Sequence, residues 1–225
     1  MTTGVAASTV YVPGLSTLGS LKRDVLNYIQ GTQDDSDLNN LAQRAINNGI
    51  DRINSRVWKQ LVTKQTITLV ADDDDYAMAD DYKRPITMLR LNSSSNREGR
   101  IDFKPLQTFF NEHRDGTTSG DPRWYTVQHK QRLILFDVPV ASSFATSYPT
   151  LEHWYHRRIP HLTADSSVLD APPEFERFII SHAASTLAAM RGHQVLNFAR
   201  QEEELSWKEL RIDDNNTVTD WSDRR

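Results

Sequence analysis

Gly120-Asp121-Pro122-Arg123-Trp124-Tyr125, Leu133-Ile134-Leu135-Phe136, Trp154-Tyr155-His156-Arg157-Arg158-Ile159-Pro160 and Ala171-Pro172-Pro173-Glu174-Phe175 follow one another within residues 119–187. Arg123–Val127 and Leu133–Phe136 predict a hairpin around Gln128-His129-Lys130-Gln131, and Thr150–Arg157 predicts a last strand, because short β-branched and aromatic runs between turn residues suit a pleated surface. Pro173 then fits the first turn of a helix, where its missing N–H costs nothing. That helix runs to Arg191, stops at Gly192, and marks its buried face with Phe175, Phe178, Ile179, His182, Thr186 and Met190. The stretch is thus the second half of a β domain and the hinge into C-terminal helices.

Upstream the period is helical before it becomes β. Leu21, Val25 and Ile29 predict a first helix over about Ser20–Gln30, which Gly31 and Asp34-Asp35-Ser36 separate from a second. The second, Asp37–Gln60, carries the stripe Leu38, Ala42, Ala45, Ile46, Gly49, Ile50, Ile53 and Val57, with Arg52, Arg56 and Lys59 on its flank. If that helix continues, Trp58 projects roughly 130° from the stripe and belongs to another contact, the following β region or a neighbouring molecule. Thr66–Val70 alternates as a strand, Asp72–Asp75 is a polar turn, Tyr76–Met78 returns, and Ile86–Leu91 is a further strand that Pro85 begins. Ser93–Asn96 is a loop, and Pro105 opens a short helix with Leu106, Phe109 and Phe110.

Helices, then strands, then helices define an α+β protein in which a small antiparallel β domain is inserted between terminal helices that pack as a bundle. The expected organisation is a flexible arm over 1–20, a helical bundle from 21–62 and 171–212, an inserted β domain over 63–170, and a polar tail over 213–225 that holds Trp221.

Composition narrows the function. The 225 residues contain no cysteine, which excludes thiol catalysis and thiolate metal sites. Net charge is −4, from 26 Lys+Arg against 30 Asp+Glu, whereas a protein that grips nucleic acid is usually basic on one face. Residues 1–20 lack the basic start and continuous apolar run of a signal peptide, and the apolar window Phe178–Met190 is broken by Ser181, His182, Ser185 and Thr186. A soluble protein made in the cytoplasm is expected, with no cofactor.

Candidate chemical motifs are incomplete. Gly14-Leu15-Ser16-Thr17-Leu18-Gly19-Ser20 has P-loop glycine spacing, but Ser20 stands where the phosphate-binding lysine is required. His153 and His156 point to opposite faces of a strand and His161 follows Pro160, so surface or interface histidines are expected instead of a metal site. Asp72, Asp73, Asp74 and Asp75 lack the glycine and distal glutamate of an EF-hand; they form a solvated turn, or an electronegative rim if copies assemble in a ring. Glu174 and Glu176 diverge by about 200° on a helix and suit its N-terminal dipole better than glycosidase chemistry. Arg52, Arg56 and Lys59 sit on a helix about twice the usual recognition length, so partners among acidic neighbours are expected.

The order and spacing of several segments resemble phage head–tail connector proteins of the adaptor type, among them the tail-adaptor (tubular protein A) proteins of T7-like podoviruses. Ala45–Ile50 through Ser55-Arg56-Val57-Trp58 is similar to the family's long helix ending in an aromatic residue, and Thr66–Val70, Tyr76 and Asp81–Arg84 to its first strands. Ser119–Tyr125, Tyr155–Pro160 with Leu162-Thr163, Pro173-Glu174-Phe175 and Gln201–Glu204 follow in family order. The likeness covers about residues 38–212; the 128–131 turn lacks the family's glycine, and the two ends have no counterpart.

The resemblance implies a non-enzymatic virion protein, assembled in the host cytoplasm as a twelve-fold ring. That ring docks beneath the portal protein, extends the DNA channel and carries the nozzle or next tail component, with tail fibres as further partners and genomic DNA only in transit. Isolated apolar residues in the polar C-terminal segment, Trp207, Leu210, Ile212 and Trp221, are the portal-contact candidates. Trp58, Arg52, Arg56, Trp124, Arg157 and Arg158 are subunit-interface candidates, and Asp72–Asp75 are channel-rim candidates. A virion-associated cell-wall hydrolase and a DNA-binding packaging or regulatory subunit are the competing classes.

Overall fold

A computed structural model describes residues 16–29, 35–113 and 118–216. The expected arm and tail fall largely on residues 1–15 and 217–225, outside the described residues. The described chain is α+β and divides into two compact units, residues 62–157 and residues 16–61 with 158–216.

The second of these is helical. α1 (Leu18–Tyr28) starts at Thr17, whose hydroxyl accepts the Ser20 N–H at 3.2 Å. α2 (Ser36–Asn54) starts at Asp35, whose carboxylate accepts the Asp37 and Leu38 N–H groups at 3.0 and 3.1 Å. Each cap satisfies donors that the first helical turn leaves unpaired. α2 buries the expected stripe through Ile53 but ends at Asn54, so Val57 and Trp58 lie beyond the helix. α5 (Pro173–Arg191) begins on Pro173 and ends on Gly192, whose φ of 61° is the left-handed conformation that only glycine adopts cheaply. α6 (Leu196–Asn216) completes the unit. Gly49 lets α2 approach α5, because a Cβ there would lie 3.4 Å from His182 and 3.5 Å from the Ile179 backbone.

Residues 158–170, expected with the β domain, pack with these helices. Asn54 exchanges hydrogen bonds with the Ile159 backbone at 2.8 and 2.9 Å, and Asn47, two helical turns earlier, does the same with Leu162 at 3.0 and 3.1 Å. The amide side chains supply the donors and acceptors that an extended segment needs. Ile159, Leu162 and Leu169 consequently enter the helical core.

The other unit is a curled seven-stranded sheet in the order β1-β7-β3-β4-β5-β6-β2. Its strands are β1 (Val62–Thr68), β2 (Asp75–Ala77), β3 (Tyr82–Leu91), β4 (Arg97–Phe103), β5 (Trp124–Gln128), β6 (Leu133–Phe136) and β7 (Thr150–Arg157). A short turn α3 (Leu106–Thr108) and a short helix α4 (Ser142–Ser147) lie between them. The edge strands β1 and β2 are joined by a side chain: Gln65 donates to the Ala77 carbonyl at 2.7 Å and accepts the Ala79 N–H at 3.0 Å. One amide thereby occupies part of the open edge, which an exposed strand must otherwise protect.

Three local features differ from expectation. Pro85 lies inside β3, at a register shift between Pro85 and Thr87, and a bulge tolerates the missing donor. The β5–β6 turn replaces glycine with Arg132 at φ 57°. β2 pairs with β6.

Candidate interaction surfaces

Trp58 turns back under the end of α2, and its indole N–H donates to the Ile53 carbonyl at 2.8 Å. The indole joins the Arg56 N–H, at 3.1 Å, on a carbonyl that has no partner within the helix. The ring is 1% exposed and meets the edges of Phe175 at 5.3 Å and Trp207 at 5.4 Å. Trp207 of α6 is half-buried and tilts onto Phe178 at 4.6 Å. Arg52 lies 5.1 Å from the Trp207 ring and 5.6 Å from Phe178, while Arg56 lies 5.3 Å from Trp58 and 5.8 Å from Trp207. Two guanidinium groups thus flank a tryptophan pair, each in reach of a cation–π attraction.

The stack is anchored by Glu203, which accepts a hydrogen bond from Arg52, bonds the His182 Nδ1 at 2.9 Å and accepts the Ser185 hydroxyl at 2.6 Å. Burial acts to raise the Glu203 pKa. The hydrogen bonds from His182 and Ser185, with the charges of His182 and Arg52, outweigh it and hold the carboxyl below its usual range. A serine, a histidine and a glutamate therefore meet between α5 and α6, but not as a nucleophilic relay. The Ser185 hydroxyl donates to the carboxylate, leaving the imidazole without the serine proton that a general base must take. Ser181 and Ser206 bond each other at 3.0 Å in the same buried seam. The arrangement can orient helices and hold a charge; it does not activate a nucleophile.

The expected contact residues consequently separate. Leu210 and Trp58 are each 1% exposed and Arg157 is 8% exposed, so within this chain all three side chains are buried in their own units. Ile212 is 56% exposed, Arg56 and Arg158 are exposed, and Trp124 is half-buried on β5. Trp221 lies outside the described residues. Trp207 and Arg52, assigned to different contacts by their sequence positions, stand together with Arg56.

The sheet unit places the acidic turn on its surface. Asp72 has a φ of 65° and accepts the Ser119 hydroxyl at 2.7 Å. The backbone around it is pinned by Asp72 N–H to the Val140 carbonyl at 2.8 Å and Val140 N–H to the Asp73 carbonyl at 3.0 Å. Among the described residues no cation forms an ion pair with Asp72, Asp73 or Asp75. Elsewhere on the outer face, Glu152 accepts Lys64 at 2.5 Å and Arg97 at 3.0 Å, and both cations lean over Trp154 at 5.6 and 5.7 Å. Burial opposes ionisation of Glu152, but these two partners hold its pKa down.

The three histidines separate, and one of them is interior. His153 is fully buried among Tyr82, Tyr125 and Tyr155, with ring centroids 5.6, 5.3 and 5.6 Å away. Neither of its nitrogens, nor the Tyr82 and Tyr125 hydroxyls, has a hydrogen-bond partner among the described residues. Burial depresses its pKa to about 3, so the ring is neutral near pH 7. His161 instead bonds Asp51 at 2.7 Å on the surface of the helical unit. No group of three or more His, Asp or Glu side chains among the described residues could hold a metal ion.

The family comparison gives the class, a structural adaptor of the phage virion. The family model for the SU10 adaptor protein matches residues 16–222, and the chain belongs to that family. No curated relative matches the chain.

Proposed function

We propose that this adaptor is non-catalytic and works as a twelve-fold ring that docks on the portal, extends the DNA channel and presents a platform for the next tail component. The observation that carries this reading is the adaptor-family match, which runs through both units from residue 16 to residue 222. Portal contact falls to Ile212 and the exposed rim of Trp207, together with Trp221. Neighbouring copies meet through Arg52, Arg56, Arg158 and Trp124, and Asp72–Asp75 lie at the channel rim. Trp and Arg are the residue types that dominate interface energy, which supports the Arg–Trp stack as a contact surface. An acidic rim supports passage of DNA without retention, because like charges repel phosphate.

The test is electron microscopy of the purified chain mixed with the portal of the same phage. A twelve-fold ring on the distal face of the portal is expected. A deletion from residue 206 would also remove Ser206 and Leu210 from the interior, so the decisive variant is Ile212→Asp combined with removal of 217–225. That variant is expected to keep its circular dichroism and lose portal binding at least tenfold. Portal binding equal to the parent would overturn the contact assignment, and absence of any ring on the portal would overturn the function.

A further inference from the structure

A cleft of about 410 Å³ opens in the helical unit, walled by Tyr28, Pro173, Glu176, Arg177, Ile180 and Glu202. Carboxylates outnumber cations here. Arg177 divides its guanidinium between Glu202 at 3.1 Å and Glu209 at 2.7 Å. Glu176 accepts the Ser16 hydroxyl at 2.5 Å and pairs with no cation among the described residues. The Tyr28 hydroxyl is buried with no partner among the described residues, and the Tyr28 ring stacks on the exposed Phe198 at 5.9 Å. A guanidinium suits such walls, because it offers several N–H donors to carboxylates and a phenol oxygen and a flat face to an aromatic ring.

The far side of α6 carries that group. Arg200, Lys208 and Arg211 are exposed and form no ion pair among the described residues. At 100° per residue, Arg200 and Arg211 fall within about 20° of each other and about 160–180° from Glu202 and Glu209. Ala199, Ser206 and Leu210 fill the inner face of the helix. One helix therefore bears surplus carboxylates on one side and unpaired guanidiniums on the other, and two opposite sides of a helix cannot meet within one chain. Between copies they are complementary. A patch that meets a different patch on the next copy is the heterologous contact from which rings are built. Along the outer crest between the two sides, Phe198, Leu205 and Ile212 are exposed at seven-residue intervals. Apolar side chains beside the cations suit a protein neighbour better than a phosphate backbone.

We propose that the Arg200–Arg211 side of α6 in one copy packs against the Glu176, Glu202 and Glu209 side of the next, with one arginine reaching into the cleft beside Tyr28. This pairing rests on the ring reading above and names the two faces by which successive copies join. Because the two sides lie nearly opposite on one helix, each copy uses both at once, and the series continues until it closes.

The full chain is mixed with the portal of the same phage, and rings are counted by electron microscopy. Arg200→Glu with Lys208→Glu and Arg211→Glu reverses one side; Glu176→Lys with Glu202→Lys reverses the other. Each variant alone is expected to give at least tenfold fewer rings than the parent. An equimolar mixture of the two is expected to recover them, since every contact in an alternating ring then joins opposite charges. Rings at the parent's level from either variant alone overturn the proposal, and so does a mixture no better than its components. A deficit confined to the basic-side variant assigns those cations to the portal, or to phosphate if that variant also loses retention on duplex DNA; either result overturns the proposal. Absence of rings from the parent overturns the ring reading itself and the proposal with it. Glu202→Lys sets a second cation beside Arg177, so circular dichroism checks its fold. Should the fold be lost, Glu176→Gln with Glu202→Gln takes its place; at least threefold fewer rings are expected, and an unchanged number overturns the proposal.

Discussion

Acidification should destabilise the sheet unit through His153. The folded ring takes a proton only near pH 3, because burial without a partner disfavours the charged form, whereas an unfolded histidine titrates near 6.5. Between those values the unfolded chain binds the extra proton, so stability rises with pH; the contribution is complete above about 6.5 and is lost as pH falls toward 3. Each pH unit within the window is worth about 1.4 kcal/mol, and the change from pH 7 to 4.5 comes to about 2.5 kcal/mol. Carboxylates titrate over the same range, so the measurement is a difference. Urea unfolding of parent and His153→Phe is followed by near-ultraviolet circular dichroism of the packed tyrosines at both pH values. The variant should lose about 2.5 kcal/mol less on acidification than the parent. At pH 7 it should be as stable or more so, because two buried nitrogens without partners are removed. Equal acid sensitivity in parent and variant would refute the assignment of a buried, neutral His153.

Other substitutions separate local causes. Trp58→Ala deletes a buried ring from the contacts with Phe175 and Trp207 and one of the hydrogen bonds to the Ile53 carbonyl, so chemical denaturation of the helical unit should show a loss of about 3–5 kcal/mol. Gln65→Ala removes both bonds that join β1 to the β2 segment; about 1–2 kcal/mol should be lost, with faster amide exchange at Ala79. Gly192→Ala meets nothing within 4 Å, so its cost is conformational, about 1 kcal/mol in thermal unfolding. Ile212→Asp should leave stability within about 0.5 kcal/mol, since that side chain is mostly in water.

Elements with strong local punctuation were legible from their residues. Thr150–Arg157 alternates and forms β7 over those limits, and Pro173 and Gly192 bound α5 as the capping rules predict. β4 was invisible because Arg-Glu-Gly-Arg-Ile-Asp-Phe buries only Ile101 and so carries no period. The end of α2 was misread because the apolar spacing continues through Val57, while the break is made by Trp58 folding back on Ile53. Spacing along one helix cannot register that tertiary contact. The same limit applies to the surfaces. Arg52 and Arg56 read as a basic flank, yet their surroundings come from α5 and α6, and a helical wheel of α2 contains neither. His153 alternates with its neighbours like any strand residue, and its burial follows from Tyr82 and Tyr125, which other strands supply.

The use of the cations bears on the competing classes. A protein that holds DNA keeps lysine and arginine clustered and unneutralised, because affinity comes from replacing counterions at phosphate. Here Lys22 pairs with Asp165, Arg52 with Glu203, Lys64 and Arg97 with Glu152, and Arg177 with Glu202 and Glu209. Arg52, Arg56, Lys64 and Arg97 also spread over tryptophan faces, so releasing them toward phosphate would sacrifice packing as well as charge. At the acidic turn, in contrast, Asp72, Asp73 and Asp75 form no ion pair with a cation among the described residues, and backbone hydrogen bonds hold the turn. The five paired cations are satisfied within the chain, which opposes a DNA grip through them. The same satisfaction that weakens phosphate binding leaves planar guanidinium and indole surfaces in fixed positions, which suits contact with another protein.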